Sequence, residues 1–587
     1  MKDIRSFLAE GKPLLFDGAM GSYFASFPGQ AERRCEEANL INPEAVSTIH
    51  RAYLEAGCRA IKTNTFTAGV DLAEGDTQSA RRIIQAACRL AQDCVKPFDA
   101  YAFAGMGPAP EGCALSRGDI YCRQADIFLE QGISNFLIET LPSDEGIPEL
   151  AMHLKGQCPE AFLIISFAVA MDGTTREGYA GEALFQRAAT LPEIDAVGFN
   201  CVSGPRHLLE YIRRLDRRGV RLSVMPNAGY PTVLGRRTVY QGRPDYFGEK
   251  LAEIAQAGAQ IVGGCCGTTP SHIAKAAEAL AKPSTFYAQP RKVASPAFTT
   301  PQPNPLAEKL DAGRRVAAVE LDPPADDQIG FFLEGVQALH NAGADAVTIA
   351  DCPIGRPRAD SSLLACKIKR ELGIEPLPHL TCRDRNLNAT KALLLGLSME
   401  GVHNVLLVTG DPIPSENRDE VKSVFNFNSR KLARYVAGLN ETVLQTPFRL
   451  FGALNINARN FEMQLKIAQE KEACGITGFL TQPILSSEAL ENLKLAHQTL
   501  QGKILGGIYP VVSYKNACFL NNEIAGMRIS GEIIALYEGK GREEAEDLAV
   551  RISARISKEA ASCTDGLYLM TPFKRVPLMV RILEQIC

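Results

Sequence analysis

Three cysteines in the first half of the chain have the residue type and setting to bind one metal ion. Cys201 directly follows the apolar run AVGFN, and Cys265 and Cys266 stand side by side in GGCCG, after another apolar stretch. If both runs are strands that end at the same rim, the three thiols converge. Three thiolates suit a tetrahedral zinc ion with one open position, because a structural zinc is normally closed by a fourth Cys or His.

Such a site would favour chemistry on sulfur. Three thiolates around Zn(II) carry a net charge of about -1, which makes a poor Lewis acid for water but a good place for a fourth thiol to bind as a nucleophilic thiolate. The implied reaction is alkylation of a substrate thiol. The alternative is that these are inert buried thiols, as we expect for most of the 17 cysteines.

Polar residues follow apolar runs elsewhere in the chain as well. In the first half these are Asp17, Asn64, Glu139, Asn200 and Asn227, and in the second half Glu320, Asp351, His379, Asp411, Asn455, Asn457, Gln482 and Tyr509. The carboxylates, amide and histidine of the second set suit a polar heterocyclic substrate. The second half has no GxGxxG motif after a strand, so a flavin would have to bind at a barrel mouth. For any single residue, capping of the next helix is the alternative.

The elements that must position these residues form a repeated pattern. Each half contains eight short apolar runs that alternate with amphipathic, helix-like segments. This pattern predicts an α/β protein with two (β/α)8 TIM barrels, in which catalytic groups lie at the C-terminal ends of the strands. A doubly wound sheet is the alternative fold.

A proline-rich stretch separates the two halves. The sequence from Lys282 to Pro305 lacks periodicity and contains six prolines, which is typical of an interdomain linker. We therefore predict a first barrel at 1–282, a linker at 283–304 and a second barrel at 305–587.

Composition excludes some classes of function. The net charge is -4 and charged residues make up 22% of the chain, so no basic surface for nucleic acid is expected. The sequence shows neither a signal peptide nor an apolar run of the roughly 18 residues that a membrane span needs. We expect a cytoplasmic protein with no membrane partner.

The first half resembles the zinc-dependent homocysteine S-methyltransferases. The resemblance covers about residues 1–285 and is carried, in order, by FDGAMGS, TNTF, FLIET, VGFNC, PNAGYP and GGCCGTTP. It implies that Cys201, Cys265 and Cys266 are zinc ligands.

The same resemblance implies a site for homocysteine. Asp17 and Glu139 would hold its amino group, and the backbone around Gly18 and Ala19 would lie near its carboxylate. Asn227 would lie near the metal and fill the fourth position when substrate is absent.

Residues 305–587 resemble methylenetetrahydrofolate reductase, a barrel that contains FAD. The matching elements are VELDPP, PHLTC, LLVTGDPI, LTQP and GIYPV. The resemblance implies three roles at the folate: Glu320 protonates N10, Asp411 tunes the flavin and faces the pterin, and Gln482 binds the pterin amide. FAD would be lined by His379, Thr409, Gly410 and Asp411, with Lys471 at its phosphates.

Two features depart from the reductase pattern. Leu321 and Asp322 follow Glu320 where aromatic residues are usual, and Leu520 stands where bacterial reductases place a phenylalanine. The shape of the folate site and the electron donor, NAD(P)H or another reductant, are therefore left open.

The leading interpretation is a bifunctional enzyme that uses Zn2+ and FAD. The second barrel would reduce 5,10-methylenetetrahydrofolate to 5-methyltetrahydrofolate, and the first would methylate homocysteine to methionine. Two alternatives remain: a methyltransferase that uses S-methylmethionine or another activated donor beside an uncoupled reductase, or a non-catalytic flavin- or zinc-binding regulatory module. The sequence leaves open whether the chain forms a homo-oligomer.

Overall fold

The computed structural model describes residues 3–27, 34–217, 219–234, 237–282, 301–412, 422–524 and 527–586. The chain divides into two compact units, Met1–Ser295 and Pro296–Cys587. Most of the stretch predicted as a linker, residues 283–300, lies outside the described residues. The first helix of the second unit begins at Pro305, and its first turn is capped by Asn304, whose side chain accepts a hydrogen bond from the Ala307 N–H.

The first unit is built on eight parallel strands. They are β1 (Leu14–Leu15), β2 (Ala60–Lys62), β3 (Tyr101–Met106), β4 (Asn135–Leu141), β5 (Phe162–Phe167), β6 (Ala196–Asn200), β7 (Arg221–Met225) and β10 (Ile261–Val262). Neighbouring strands follow the order β1-β10-β7-β6-β5-β4-β3-β2. A bridge between Phe16 and Ala60 joins β1 to β2, and the Asp17 N–H donates to the Ala60 carbonyl at 2.9 Å. The sheet therefore closes into a barrel.

Twelve helices accompany this barrel within the described residues. They are α1 (Ile4–Ala9), α2 (Gly21–Phe24), α3 (Ala38–Ile41), α4 (Pro43–Glu55), α5 (Ala68–Ala73), α6 (Thr77–Val95), α7 (Arg117–Glu130), α8 (Ile147–Gln157), α9 (Gly181–Ala189), α10 (Pro205–Ile212), α11 (Pro244–Gln256) and α12 (Pro270–Leu280). Local sequence explains where several begin. Asn42 caps α4 ahead of a proline at the first helical position, and Asp76 caps α6 by accepting from the Ser79 N–H.

An antiparallel hairpin between β7 and α11 was not predicted. Its strands are β8 (Pro231–Leu234) and β9 (Arg237–Tyr240). The eight apolar runs account only for the barrel strands, and this hairpin begins at the last residue of the PNAGYP motif, in the connection between β7 and α11.

The second unit is a closed barrel of eight parallel strands in sequence order. They are β11 (Val316–Glu320), β12 (Ala346–Ile349), β13 (Pro376–Thr381), β14 (Asn404–Val408), β15 (Arg449–Leu454), β16 (Gly478–Pro483), β17 (Lys503–Ile508) and β18 (Gly566–Met570). The two predicted eight-stranded barrels are thus confirmed, and the doubly wound alternative is wrong.

The helices of the second unit alternate with its strands. They are α13 (Pro305–Asp311), α14 (Gly330–Asn341), α15 (Ser361–Leu372), α16 (Leu387–Met399), α17 (Ser429–Thr442), α18 (Phe461–Glu472), α19 (Ser487–Thr499), α20 (Tyr514–Glu523), α21 (Gly531–Leu536), α22 (Arg542–Glu559) and α23 (Val576–Ile586). Across the described parts of both units, no helix is both long enough and apolar enough to pass through a lipid bilayer.

Each barrel has its own two-layered core. One layer lies between strands and helices, and a smaller one fills the barrel interior, because successive strand residues point to opposite faces. Phe16, Phe103 and Phe162 lie in the interior of the first barrel. Phe451 and Tyr568 belong to the interior layer of the second. Both barrel interiors are therefore filled by side chains and are not open channels.

Candidate active sites

The three cysteines meet at the C-terminal rim of the first barrel. Cys201 follows β6, and Cys265 and Cys266 lie in the loop after β10. Their sulfur atoms all lie within 4.8 Å of one another, and the Sγ atoms of Cys201 and Cys266 are 3.6 Å apart. A tetrahedral zinc with Zn–S bonds of about 2.3 Å would separate its thiolates by about 3.8 Å. The spacing therefore fits one tetrahedral metal ion.

Backbone conformation brings the thiols together. Cys201 and Val202 both adopt positive φ, 59° and 54°, which turns the chain sharply as it leaves β6. Gly267 has a φ of 78°, and a Cβ there would lie 2.3 Å from the Cβ of Tyr240. The loop after β10 therefore requires glycine at this position.

The thiols are electrostatically linked even without an ion. Hydrogen bonds from Cys201 and Cys265 lower the pKa of Cys266, and the pKa of Cys201 is raised because its thiol is the donor in this arrangement. Because sulfur ligands bind metal in their deprotonated form, an ion held by these three thiols would release protons on binding.

Asn200, the last residue of β6, connects the thiols to the neighbouring strand. Its Oδ1 accepts from the Thr140 N–H and from the Ser166 hydroxyl, both at 2.8 Å. Its Nδ2 lies 3.2 Å from Oε2 of Glu139 and 3.7 Å from Sγ of Cys265. Asn200 therefore fixes both the carboxylate and the thiol.

Two carboxylates and one ammonium group are buried next to the thiols. Lys62, at the end of β2, has its Nζ 3.5 Å from Oε2 of Glu139 and 3.8 Å from Oδ1 of Asp17. Burial raises the pKa of Asp17 to about 7 and also raises that of Glu139, against the attraction of Lys62. Burial alone would lower the pKa of Lys62, but Glu139 and Asp17 outweigh it and the pKa is raised. Sequence reasoning missed Lys62.

Lys62, Glu139 and the three cysteines border one cavity of about 470 Å3. It is lined by Ala19, Met20, Gly21, Ser22, Cys35, Glu36, Lys62, Thr63, Asn64, Thr65, Phe66, Thr67, Glu139, Thr140, Cys201, Cys265 and Cys266. The cavity therefore places buried charged groups and three thiols around a space suited to a small, charged thiol.

The remaining predicted residues of this site lie at its edge. Asn227 is buried, its N–H donates to the Ser203 carbonyl, and its Oδ1 has no hydrogen-bond partner among the described residues. The Ala19 N–H donates to Oγ1 of Thr268 at 3.0 Å. Gly18 packs so closely that a Cβ would lie 2.5 Å from that same oxygen.

At the mouth of the second barrel, Glu320 lies between a tyrosine and a histidine. The hydroxyl of Tyr568 donates a hydrogen bond to Oε2 of Glu320, and Nε2 of His379 lies 3.7 Å from the same oxygen. Burial raises the pKa of Glu320 to about 7, although the bond from Tyr568 opposes the shift. Burial lowers the pKa of His379 to about 4. A carboxyl group that is partly protonated near neutral pH is thus held beside a neutral imidazole.

Asp351 anchors an arginine that the sequence analysis did not single out. Its Oδ2 accepts from the N–H and hydroxyl of Thr381 and from Arg385 at 2.9 Å, and Arg385 also pairs with Asp360. These contacts tie the end of β12 to the loop after β13. The motif CRDRN, with charged residues directly after a strand, is the signal that could have identified it.

The predicted flavin residues lie on two neighbouring strands. His379 is in β13, and Thr409, Gly410 and Asp411 follow β14. Gly410 has a φ of 94°, and a Cβ there would lie 2.9 Å from Cβ of Thr381. Nε2 of His379 is buried without a hydrogen-bond partner among the described residues. A close glycine turn beside an unsatisfied ring nitrogen fits a bound heterocycle.

Lys471 lies in α18 and Gln482 in β16, so neither belongs to the two strands that carry the predicted flavin residues. Lys471 Nζ donates to the Ala453 carbonyl at 2.6 Å, and burial together with Arg430 lowers its pKa to about 8. The ammonium group would have to leave this carbonyl to meet a phosphate. Gln482 is half-buried in β16.

The structure also shows the surroundings of the three residues that depart from the reductase pattern. Leu321 is fully buried in the layer between strands and helices, whereas Asp322 is exposed. Leu520 is buried in α20. The departures therefore place a carboxylate, rather than an aromatic ring, beside Glu320.

Curated relatives of this chain include two proteins named methionine synthase. The one from Mycobacterium leprae (strain TN) is 32% identical over 314 residues, which is 48% of this chain and 25% of the relative. The one from Mycobacterium tuberculosis (strain ATCC 25618 / H37Rv) is 34% identical over 295 residues, which is 45% of this chain and 24% of the relative. The chain thus spans about a quarter of the length of these relatives.

A solved structure also matches part of the chain. It is the metallated form of the homocysteine methyltransferase MmuM from Escherichia coli, at 23% identity and a TM-score of 0.38. The match covers 47% of this chain and 99% of that one.

Family models match the two barrels separately. Residues 14–280 match the model described as homocysteine S-methyltransferase, and residues 306–587 match the model described as methylenetetrahydrofolate reductase. The chain is therefore a fusion of a homocysteine S-methyltransferase domain with a methylenetetrahydrofolate reductase domain.

Proposed function

We propose that the chain is a bifunctional one-carbon enzyme that makes methionine. Its second barrel reduces 5,10-methylenetetrahydrofolate to 5-methyltetrahydrofolate with FAD, and its first barrel transfers a methyl group to homocysteine with zinc. The observation that carries the proposal is the meeting of Cys201, Cys265 and Cys266 at one rim of the first barrel, beside a cavity with buried charges. The two family matches support the pairing of activities.

In the first barrel, the three cysteines would hold zinc and leave its fourth position to the substrate. Zinc, when bound, would supply the positive charge that keeps the homocysteine sulfur deprotonated at neutral pH. Asn200 orients Cys265 and Glu139 through its amide. The substrate sulfur forms a bond to the methyl carbon while the bond from that carbon to its donor breaks.

In the second barrel, Glu320 acts as the general acid. It donates a proton to N10 of the folate, and the bond between N10 and the one-carbon unit then breaks. FAD, held by His379, Thr409, Gly410 and Asp411 with Lys471 at its phosphates, would supply the hydride that completes the methyl group. A pKa of about 7 keeps part of Glu320 protonated near neutral pH. Asp411 faces the pterin and Gln482 binds its amide.

Tyr568 positions this acid. It lies in β18, where Tyr568 is paired with Ala318, two residues before Glu320 in the neighbouring strand. Its hydroxyl can therefore reach the carboxyl group from the barrel interior and hold one rotamer. We also propose a cytoplasmic location, because this chemistry needs reduced thiols at the metal site.

The experiment that tests the proposal follows methionine and folate separately. The purified chain, loaded with zinc and FAD, is given homocysteine and either 5-methyltetrahydrofolate or S-methylmethionine, and methionine is measured. In parallel, oxidation of NADH or NADPH is followed with 5,10-methylenetetrahydrofolate. Methionine from the folate donor, together with folate-dependent oxidation, supports the proposal. Methionine from S-methylmethionine alone would favour an uncoupled methyltransferase, and no methionine from either donor would reject the first activity.

A further inference from the structure

We infer that Arg383 positions residues 409–411, the turn proposed to line the flavin, and that its charge favours the binding of reduced over oxidised FAD. The inference rests on the proposed function, in which the second barrel binds FAD at this turn. Arg383 is a positioning residue here, because it acts through the backbone of Asp411 rather than by contact with the flavin.

The guanidinium group of Arg383 is buried in the loop that follows β13. Its side chain is 3% exposed, and its Nη1 donates to the Asp411 carbonyl at 3.1 Å. Its Nε and Nη2 donate to the carboxylate of Asp384 at 2.9 and 2.7 Å. The Arg383 carbonyl in turn accepts from the Val424 N–H at 2.8 Å. The planar guanidinium therefore joins a carboxylate of its own loop to the backbone of the loop after β14.

The turn at 409–411 packs directly against the end of β13. The Cys382 N–H donates to the Thr409 carbonyl at 3.1 Å, so backbone holds the first residue of the turn. At the middle residue, Gly410, a Cβ would lie 2.9 Å from Cβ of Thr381 and 3.4 Å from Cβ of Arg383. The side chain of Arg383 holds the last residue of the turn.

The hydrogen bond to the Asp411 carbonyl matters because of the glycine before it. Gly410 has a φ of 94° and no side chain, so its own conformation does little to fix the next residue. The bond from Arg383 fixes the direction of the Asp411 carbonyl, and with it the direction in which the Asp411 side chain leaves the backbone. Removal of the guanidinium should therefore change what the turn presents to the flavin.

Arg383 also contributes positive charge at the turn. The hydrogen bonds to Asp384 raise the pKa of Arg383, against the effect of burial, so the guanidinium stays charged. A neutral residue at position 383 would leave the Asp384 and Asp411 carboxylates without this cation and make the site more negative by one unit charge. The reduced flavin ring carries a negative charge, once deprotonated, that the oxidised ring lacks. Loss of Arg383 should therefore weaken reduced FAD more than oxidised FAD.

Flavin titration of the full chain tests this inference. The chain is stripped of flavin and titrated with oxidised FAD, followed by fluorescence quenching, and with dithionite-reduced FAD under argon, followed by calorimetry. Arg383→Met should bind oxidised FAD at least about tenfold more weakly, as expected for the loss of a hydrogen bond from a charged group. Its affinity for reduced FAD should fall by a further factor of about three or more. Arg383→Lys, which keeps the charge but not the planar fork, should weaken both forms while the ratio of their affinities stays near that of the wild type.

Arg370→Met is the matched control, because Arg370 is an arginine of the same barrel that pairs with Glu400 at 3.0 Å on the surface of α15. It should leave both affinities unchanged. Wild-type affinities in Arg383→Met, or weakening of both forms by the same factor, would overturn the inference. If Arg383→Met does not fold, wild-type affinity of Arg383→Lys for oxidised FAD would overturn it. Failure of the wild-type chain to bind FAD in either form would instead reject the proposed function.

Discussion

The hydroxyl of Tyr568 donates a hydrogen bond to the carboxyl group of Glu320, across the pair of neighbouring strands β18 and β11. This bond stabilises the ionised carboxylate, whereas burial favours the neutral acid. The pKa of Glu320, about 7, reflects the balance. Burial, followed by the nearby carboxylate, raises the pKa of Tyr568 well above its ordinary value, so the tyrosine stays a donor.

Removing this hydroxyl should change the pH dependence of folate reduction. Glu320 must be protonated to act as the acid, so the rate falls as pH rises through its pKa. Tyr568→Phe removes a bond to the charged form, raises the pKa and moves this alkaline limb to higher pH by about one unit. The measurement is the pH profile of folate reduction. Tyr537→Phe, at another buried tyrosine of the same unit, should leave the limb in place. An unmoved limb in Tyr568→Phe would show that the contact does not tune the acid.

Replacing the acid itself should affect one activity only. Glu320→Gln keeps the shape of the side chain but cannot donate the proton, so folate reduction should fall by about 10² to 10⁴. FAD binding, reduction of the flavin by its electron donor and methyl transfer by the first barrel should persist. Glu334→Gln, an exposed glutamate of α14, is the control. A near-parental rate of folate reduction in Glu320→Gln would remove Glu320 from the mechanism and direct attention to Asp411.

Metal content should depend on each of the three thiols. The purified chain should hold about one zinc, and Cys265→Ala should lose the metal and methyl transfer while folate reduction survives. Elemental analysis is the measurement. Cys158→Ala, at the end of α8, should keep its zinc. A full zinc complement in Cys265→Ala would identify the cysteines as inert buried thiols.

The two barrels should fold separately. Each interior cluster and each layer between strands and helices takes its described residues from one unit. Cleavage near Ser295 should therefore give two soluble fragments, and the C-terminal fragment should be yellow with bound flavin. Circular dichroism and the flavin spectrum measure this. A colourless, misfolded fragment, from a chain that is yellow when whole, would show that the barrels depend on each other.

The sequence predicted the fold and the convergence of the three cysteines because both follow from local patterns. Apolar runs marked the strands, and parallel strands of a barrel end at one rim, so Cys201 and Cys265 had to approach each other. Lys62 could not be found in this way. A lysine is normally exposed, and the carboxylates that surround it, Asp17 and Glu139, lie 45 and 77 residues away.

The same limit applies to the second barrel. Tyr568 stands in GLYLM, and this pattern indicates only a residue of a buried strand. Its contact with Glu320 depends on the register between β18 and β11, which the sequence does not show. Sequence also cannot show that the ammonium group of Lys471 donates to the Ala453 carbonyl. The proposed contact of this group with the FAD phosphates stays a prediction.

X-ray absorption at the zinc edge tests the central claim, an open three-thiolate zinc site that binds homocysteine through sulfur. Without substrate, we expect three sulfur neighbours at about 2.3 Å and one lighter nitrogen or oxygen neighbour. Addition of L-homocysteine should replace the lighter neighbour with a fourth sulfur at the same distance. An unchanged zinc environment after addition of homocysteine, or fewer than three sulfur neighbours before it, would contradict the account.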